Sequence, residues 1–203
     1  MTQPALKIGQ FTYGDYRRWP EEERWELIDG EAWDMSPAPT RAHQQMVVEL
    51  TRQIGNFLLG KPCEVYAAPF DVRLPRADEA DDRVESVVQP DVAVICDSSK
   101  LDDAGCRGAP DWIIEVLSRR TAVKDHTVKR DLYERHGVQE YWLVHPTDRV
   151  LTIYRLVDGA YGKPDVQALT GETPVRVIDG LGIQWGEDPD ADVTLETGEA
   201  AGG

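Results

Sequence analysis

The sequence predicts an α/β sandwich: a mixed central β-sheet flanked by a helix on each side. Three observations carry this expectation. Two segments, residues 38–61 and 122–137, have apolar residues at helical spacing. The stretches around Asp91, Glu115 and Trp142 have apolar residues at consecutive positions, as strands buried on both faces do. The order is helix, several strands, helix, strands, which suits helices packed against a sheet.

FTYGDYRRWPEEE, from Phe11, predicts a short helical piece, and Pro20 followed by three glutamates suits a helix first turn. RWELIDG followed by EAWDMS predicts a hairpin, because Asp29-Gly30 sits between two apolar runs. In the first long helix, Met46, Val47, Leu50, Ile54, Phe57 and Leu58 fall on one face, and Gly60 stands where the helix should stop. His43 falls within that face, whereas Glu49 falls on the wet side.

CEVYAAPFDVRLP, from Cys63, predicts one strand, and RADEADDRVES an acidic loop. VVQPDVAVIC predicts one apolar strand carrying Pro90-Asp91, and DSSKLDDAGCRGAP a loop. WIIEVLS is the next strand, followed by the second long helix, with Gly137 as its stop. VQEYWLVHP and VLTIYRL pair through the turn at Pro146-Thr147-Asp148, and the region to Trp185 supplies small strands at an edge. Residues 1–186 are expected to form a single domain and residues 187–203 an acidic, Gly-rich mobile tail.

A chain of 203 residues with 41% apolar content is globular and can bury a core. Its 22 basic and 37 acidic residues give a net charge of −15, which argues against a general polyanion binder. Cys63, Cys96 and Cys106 have no C-x-x-C spacing, so neither a disulfide framework nor a structural zinc site is expected. No run approaches the roughly 18 apolar residues of a membrane span, so the chain is expected to be cytoplasmic.

The chemistry lies in three ionisable groups that point inward. Asp91 and Glu115 stand in apolar strands. On a helical wheel of the second long helix, Lys129 and Asp125 fall in the arc of Val128, Leu132 and Tyr133, away from the charged face. Isolated buried charges cost several kcal/mol each, in round terms ~3 or more, so such groups are expected to compensate one another. Two carboxylates and an ammonium also fit a metal-dependent phosphodiesterase. The carboxylates suit Mg²⁺ or Mn²⁺, and the lysine can hold a water or meet charge on the phosphate. The basic stretch Arg119, Arg120, Lys124, Lys129 and Arg130, opposed by Asp125 alone, starts where the Glu115 strand ends. Arg119, Arg120, Lys124 and Arg130 are therefore candidates for phosphate contact.

ELIDGE (from Glu26), the helix opening at His43, QPDVAVI (from Gln89), IEVLS (from Ile114), the Asp125/Lys129/Tyr133 helix and GVQEYWLV (from Gly137) together resemble the Uma2 family of the PD-(D/E)xK nuclease superfamily. The resemblance spans about residues 13–156. It implies a restriction-endonuclease-like core in which Asp91 and Glu115, with the backbone carbonyl of Val116, bind the metal. It also offers Glu31 as a possible third acid near the site, beside the plain reading of a solvated hairpin glutamate. Asp125 and His43 become possible supporting residues. The superfamily's lysine position is occupied by Leu117; Uma2-like chains place the lysine on the following helix, which matches Lys129. Arg119 stands where the family often has proline, and His145 where it often has aspartate. The implied activity is a metal-dependent endonuclease acting on DNA, bound weakly and salt-sensitively, with a homodimer as the simplest way to cut both strands. The alternative is a non-cleaving module of the same fold whose acidic surface meets a protein partner.

Overall fold

A computed structural model describes residues 6–7, 9–20, 23–35, 38–118 and 120–186. Glu21 and Glu22, Arg119 and the acidic tail from residue 187 lie outside the described residues. The elements run β1 (Leu6–Lys7), α1 (Tyr13–Tyr16), β2 (Trp25–Ile28), β3 (Glu31–Asp34), α2 (Arg41–Leu58), β4 (Glu64–Ala67), β5 (Val72–Arg73), β6 (Val87–Val88) and β7 (Val92–Ile95). There follow β8 (Leu101–Asp102), β9 (Gly105–Arg107), β10 (Trp112–Val116), α3 (residues 122–136), β11 (Glu140–His145), β12 (Val150–Val157), β13 (Ala160–Tyr161), β14 (Asp165–Ala168), β15 (Glu172–Pro174) and β16 (Gly182–Gln184).

The central sheet has the order β13-β12-β11-β10-β7-β4, with β14 also on β12. Only β10 and β11 are parallel, and α3 makes the crossover between them. Strand alternation gives this sheet two faces. Trp112, Ile114 and Val116 of β10 pack with Val47, Leu50, Ile54 and Leu58 of α2. Ile113 and Leu117 pack on the other side with Leu132 and Tyr133 of α3. A helix therefore covers each face, as the sequence predicts. The four α2 side chains contribute about 1.5–3 kcal/mol each on burial.

Thr40 caps α2 by accepting from His43 N, and Gly60 (φ 74°) follows its end. The Asp29-Gly30 turn joins β2 and β3 with positive φ at both residues, 52° and 81°, as a tight hairpin of this kind requires.

Several expectations are corrected. A second sheet, β1-β3-β2-β6-β5-β9-β8, packs beside α3 on the same face. CEVYAAPFDVRLP is two strands, β4 in the central sheet and β5 in the second, because Pro69 interrupts the ladder. VVQPDVAVIC is likewise split at Pro90-Asp91 into β6 and β7. The expected loop after Cys96 contains the β8–β9 hairpin. Gly105 is obligatory there: a Cβ would stand 2.2 Å from the Asp71 carbonyl oxygen. The helix first turn expected at Pro20 falls on Glu21 and Glu22, outside the described residues; Glu23 N donates to the Pro20 carbonyl at 3.1 Å. The second long helix is not uniform: Ala122–Lys124 is α-helical, Asp125–Lys129 is π-helical and Arg130–His136 is α-helical again. Cys63 and Cys96 form a disulfide. The β4/β7 register places them opposite one another, which their separation of 33 residues does not reveal. Cys106 is free and buried. No helix of the described residues is long and apolar enough to cross a membrane.

Candidate active site

Alternation along β10 sends Glu115 toward α3, and the π-helical turn sends Lys129 and Asp125 back toward the sheet. All three are buried. Lys129 Nζ lies 2.9 Å from Glu115 Oε1 and 3.9 Å from Asp125 Oδ1. The Tyr133 hydroxyl donates to Glu115 Oε1 at 3.0 Å.

A fourth group completes the cell. Glu26 of β2 is fully buried, with Oε1 2.7 Å from Lys129 Nζ and Oε2 2.6 Å from Lys124 Nζ. Its Oε1 also accepts from Gln89 N at 3.0 Å. For Glu31 the sequence offered two places, a third acid near the site or a solvated hairpin position, and the structure shows the second. That residue is exposed at the turn end of the same hairpin and does not line the cleft. The missed signal was the one that exposed Glu115: a carboxylate inside an apolar strand, here Trp25-Glu26-Leu27-Ile28.

Asp91 stands between β6 and β7, where the chain leaves the second sheet for the central one. Its Oδ2 accepts from Val116 N at 2.8 Å and meets His43 Nε2 at 3.1 Å. Leu117 N turns to β11, bonding Val144 O, so the Val116 carbonyl faces the opposite edge, past the end of the β7 ladder. Asp91 occupies that edge.

Burial sets the charges of the cell. Desolvation pushes Glu115 up to about 8, against the pull of Lys129 and with added repulsion from Asp125, Asp91 and Glu26. Desolvation likewise raises Asp125 to about 6. Burial opposes the charge of Glu26 too, but Lys124 and Lys129 override it and hold the carboxyl down at about 2. Lys129 is raised well above the usual lysine value, because the surrounding carboxylates outweigh its own desolvation. Burial works against protonation of His43, yet the Asp91 carboxylate raises it.

Asp91, Glu115, Val116, Lys129, Asp125 and Glu26 line one cleft of about 460 Å³. Among the described residues, hydrogen bonds fall on Oδ2 of Asp91 and Oε1 of Glu115, and none on their second oxygens. Asp125 Oδ1 is buried without a hydrogen-bond partner. Among the described residues no group of three or more His, Cys, Asp or Glu forms a metal cage. Asp91, Glu115 and the Val116 carbonyl would offer an ion two carboxylates and a carbonyl, all hard oxygens. Such a set fits an ion that keeps several waters, as Mg²⁺ does, rather than a fully enclosed one.

The basic candidates separate. Arg120 is exposed and lines the cleft. Lys124 lines it but is committed to Glu26. Arg130 does not line it; its Nε donates to Asp131 at 2.8 Å. Arg119 lies outside the described residues. His145 stands against His126, with Nε2 atoms 3.4 Å apart, and is not part of the cell.

A family model, Uma2, "Putative restriction endonuclease", matches residues 13–186. Comparison with curated proteins gives no match. Among solved structures, the chain is similar to "a putative nuclease belonging to DUF820" from Anabaena variabilis. The TM-score is 0.64 at 20% identity, covering 81% of this chain and 89% of that one. At that identity the likeness establishes a shared nuclease-like fold.

Proposed function

This chain belongs to the Uma2 family, and from that premise we propose that it is a metal-dependent endonuclease hydrolysing phosphodiester bonds in DNA. The observation that carries the proposal is Lys129 lying 2.9 Å from Glu115 in the cleft that Asp91 also lines. Asp91, Glu115 and the Val116 carbonyl would hold Mg²⁺ or Mn²⁺, which supplies a Lewis acid and an activated water.

The chain's own residues do the rest. The Lys129 ammonium, fixed by Glu26 and Glu115, presents positive charge where the phosphate oxygens gain negative charge. Tyr133 fixes the Glu115 carboxyl. His43 and Val116 N orient Asp91 through Oδ2. Asp125, 3.9 Å from Lys129, adds negative potential that keeps the lysine charged.

The test is digestion of plasmid, single-stranded DNA and RNA with Mg²⁺ or Mn²⁺, beside calorimetric metal titration. Asp91→Asn should abolish both cutting and metal uptake, and Lys129→Ala should abolish cutting. Wild type that takes up neither ion would favour the other reading, a non-cleaving module whose charge of −15 serves a protein contact. Cutting that persists in Lys129→Ala would place the activity elsewhere.

A further inference from the structure

The positive charge nearest the reacting centre is already spent. Lys129 is shared between Glu26 and Glu115, and Lys124 lies 2.6 Å from Glu26. Neither has charge to spare for the flanking phosphates of a strand. Two other cations line the same cleft, Arg24 and Arg120, and both are exposed. Among the described residues neither makes an ion pair.

Arg24 is held in an unusual way. Its Nη2 donates to the side-chain oxygen of Gln89 at 3.2 Å. The amide end of Gln89 donates in turn to Asp71 Oδ1 at 2.8 Å, and also contacts the Tyr16 hydroxyl at 3.1 Å. Since Asp71 accepts from the NH₂ group, the amide oxygen is directed at Arg24. The backbone of Gln89 is pinned as well, through its N–H to Glu26. A neutral amide therefore fixes the guanidinium without cancelling its charge. A carboxylate in that place would have done both.

The connectivity ties each arginine to one member of the buried charge cell. Arg24 and Glu26 are two residues apart on extended chain and share a face, and Met35 N donates to Arg24 O to continue the hairpin ladder. Arg120 precedes α3 and stands four residues before Lys124. Glu26 and Lys124 are joined at 2.6 Å, so each arginine stands a short stretch of chain from one member of that ion pair, and both line its cleft.

We propose that Arg24, braced by Gln89, and Arg120 form a two-pronged clamp for the phosphodiester backbone on either side of the bond to be cut. The clamp rests on the nuclease reading and deepens it. It recognises phosphate and no base, and it explains how a chain of net charge −15 can hold a polyanion: locally, by two uncompensated guanidiniums.

The experiment measures binding of a fluorescent 12-mer duplex to the Asp91→Asn protein over a salt series, beside Mn²⁺-dependent cleavage by wild type. Arg24→Gln should weaken binding about 5–10-fold at low salt and reduce the slope of log K against log salt by about 1. Arg120→Gln should do the same, and the double variant should lose both increments. Arg24→Lys should recover the slope but only part of the affinity, because lysine keeps the charge and lacks the fork. Arg130→Gln, taken from the pair with Asp131 outside the cleft, should change nothing. Thermal melts confirm that each variant is folded. If the parent binds and cuts but Arg24→Gln keeps its affinity and slope, the clamp is wrong and the nuclease reading stands. If wild type does not cut yet the Arg24 increment is present, the clamp stands and the nuclease reading fails. If the parent binds no oligonucleotide at any salt, the clamp is overturned.

Discussion

Glu26 Oε1 lies 2.7 Å from Lys129 Nζ, and this contact, made across two sheets and a helix, decides where the ammonium sits. Glu26 reaches it from the second sheet and Glu115 from the central sheet. With Glu115 raised to about 8 and Glu26 lowered to about 2, the ionised carboxylate in hydrogen-bond contact with Lys129 at neutral pH is Glu26, with Asp125 farther off at 3.9 Å. Glu26→Gln should leave the buried Lys129 and the half-buried Lys124 short of one carboxylate. We expect a loss of about 3 kcal/mol in urea unfolding at pH 7. Cleavage should fall ~10-fold or more as Lys129 relaxes toward Glu115. An unchanged midpoint would mean that Glu26 does not hold the lysine.

A second buried carboxylate should behave differently. Glu140, at the start of β11, accepts from Trp142 Nε1 at 2.9 Å and from the backbone N–H groups of Arg176 and Val177 at 2.9 and 3.0 Å. It pairs with Trp112, while Val116 pairs with Val144. It therefore lies four residues along the sheet from the cleft, roughly 13 Å. Glu140→Ala leaves three donors, the Trp142 indole among them buried, and the Arg155 guanidinium at 3.4 Å without their carboxylate, and should cost about 3 kcal/mol. Heats of Mn²⁺ binding at a temperature where the variant is folded should match wild type. Lost metal uptake in that folded protein would tie Glu140 to the site and contradict its structural role.

The disulfide is open to a direct check. Alkylation of the denatured, unreduced chain should modify one cysteine, Cys106, and after reduction all three. Cys63→Ser with Cys96→Ser should lower stability by about 2–4 kcal/mol, since the bridge closes a loop of 33 residues. Three labelled cysteines without reductant would refute the pairing.

How much of this could be read in the residues depends on element length. The β10 and β11 strands, at five and six residues, show themselves as apolar runs. An acid inside such a run stands out, so Glu115 was legible. Lys129 was legible because it interrupts an apolar helical arc. The second sheet was not, because β5, β6 and β8 have two residues each, too few for a period of two to register. Glu26 carries the same mark as Glu115, an acid inside an apolar strand, but β2 is four residues long and the hairpin was recognised from its turn instead. The π-helical turn at Asp125–Lys129 leaves no mark in a periodicity averaged over sixteen residues. The Cys63–Cys96 bond is a property of register alone.

Glu115 links pH, stability and metal. Its folded value of about 8 stands above the unfolded 4.5, because burial favours the neutral acid. Below 4.5 the group is protonated in both states and its contribution is fully present. Between 4.5 and 8 the unfolded chain releases the proton while the native state keeps it, so stability falls as pH rises. Above 8 the loss is complete. Asp125, raised from 3.8 to about 6, acts in the same direction over a lower window. Glu115→Gln should therefore be more stable than wild type at pH 8, by about 2 kcal/mol, and no more stable at pH 4.5. A divalent ion that displaces the proton should restore wild-type stability at pH 8 and do nothing for Glu115→Gln. Its apparent affinity should climb with pH, up to tenfold per unit, and level off near 8. Urea unfolding at both pH values, with and without Mn²⁺, reads all of these. A wild type whose stability and Mn²⁺ affinity are flat from pH 5 to 8 would show that Glu115 is already ionised beside Lys129, and that the cell carries its charge in another arrangement.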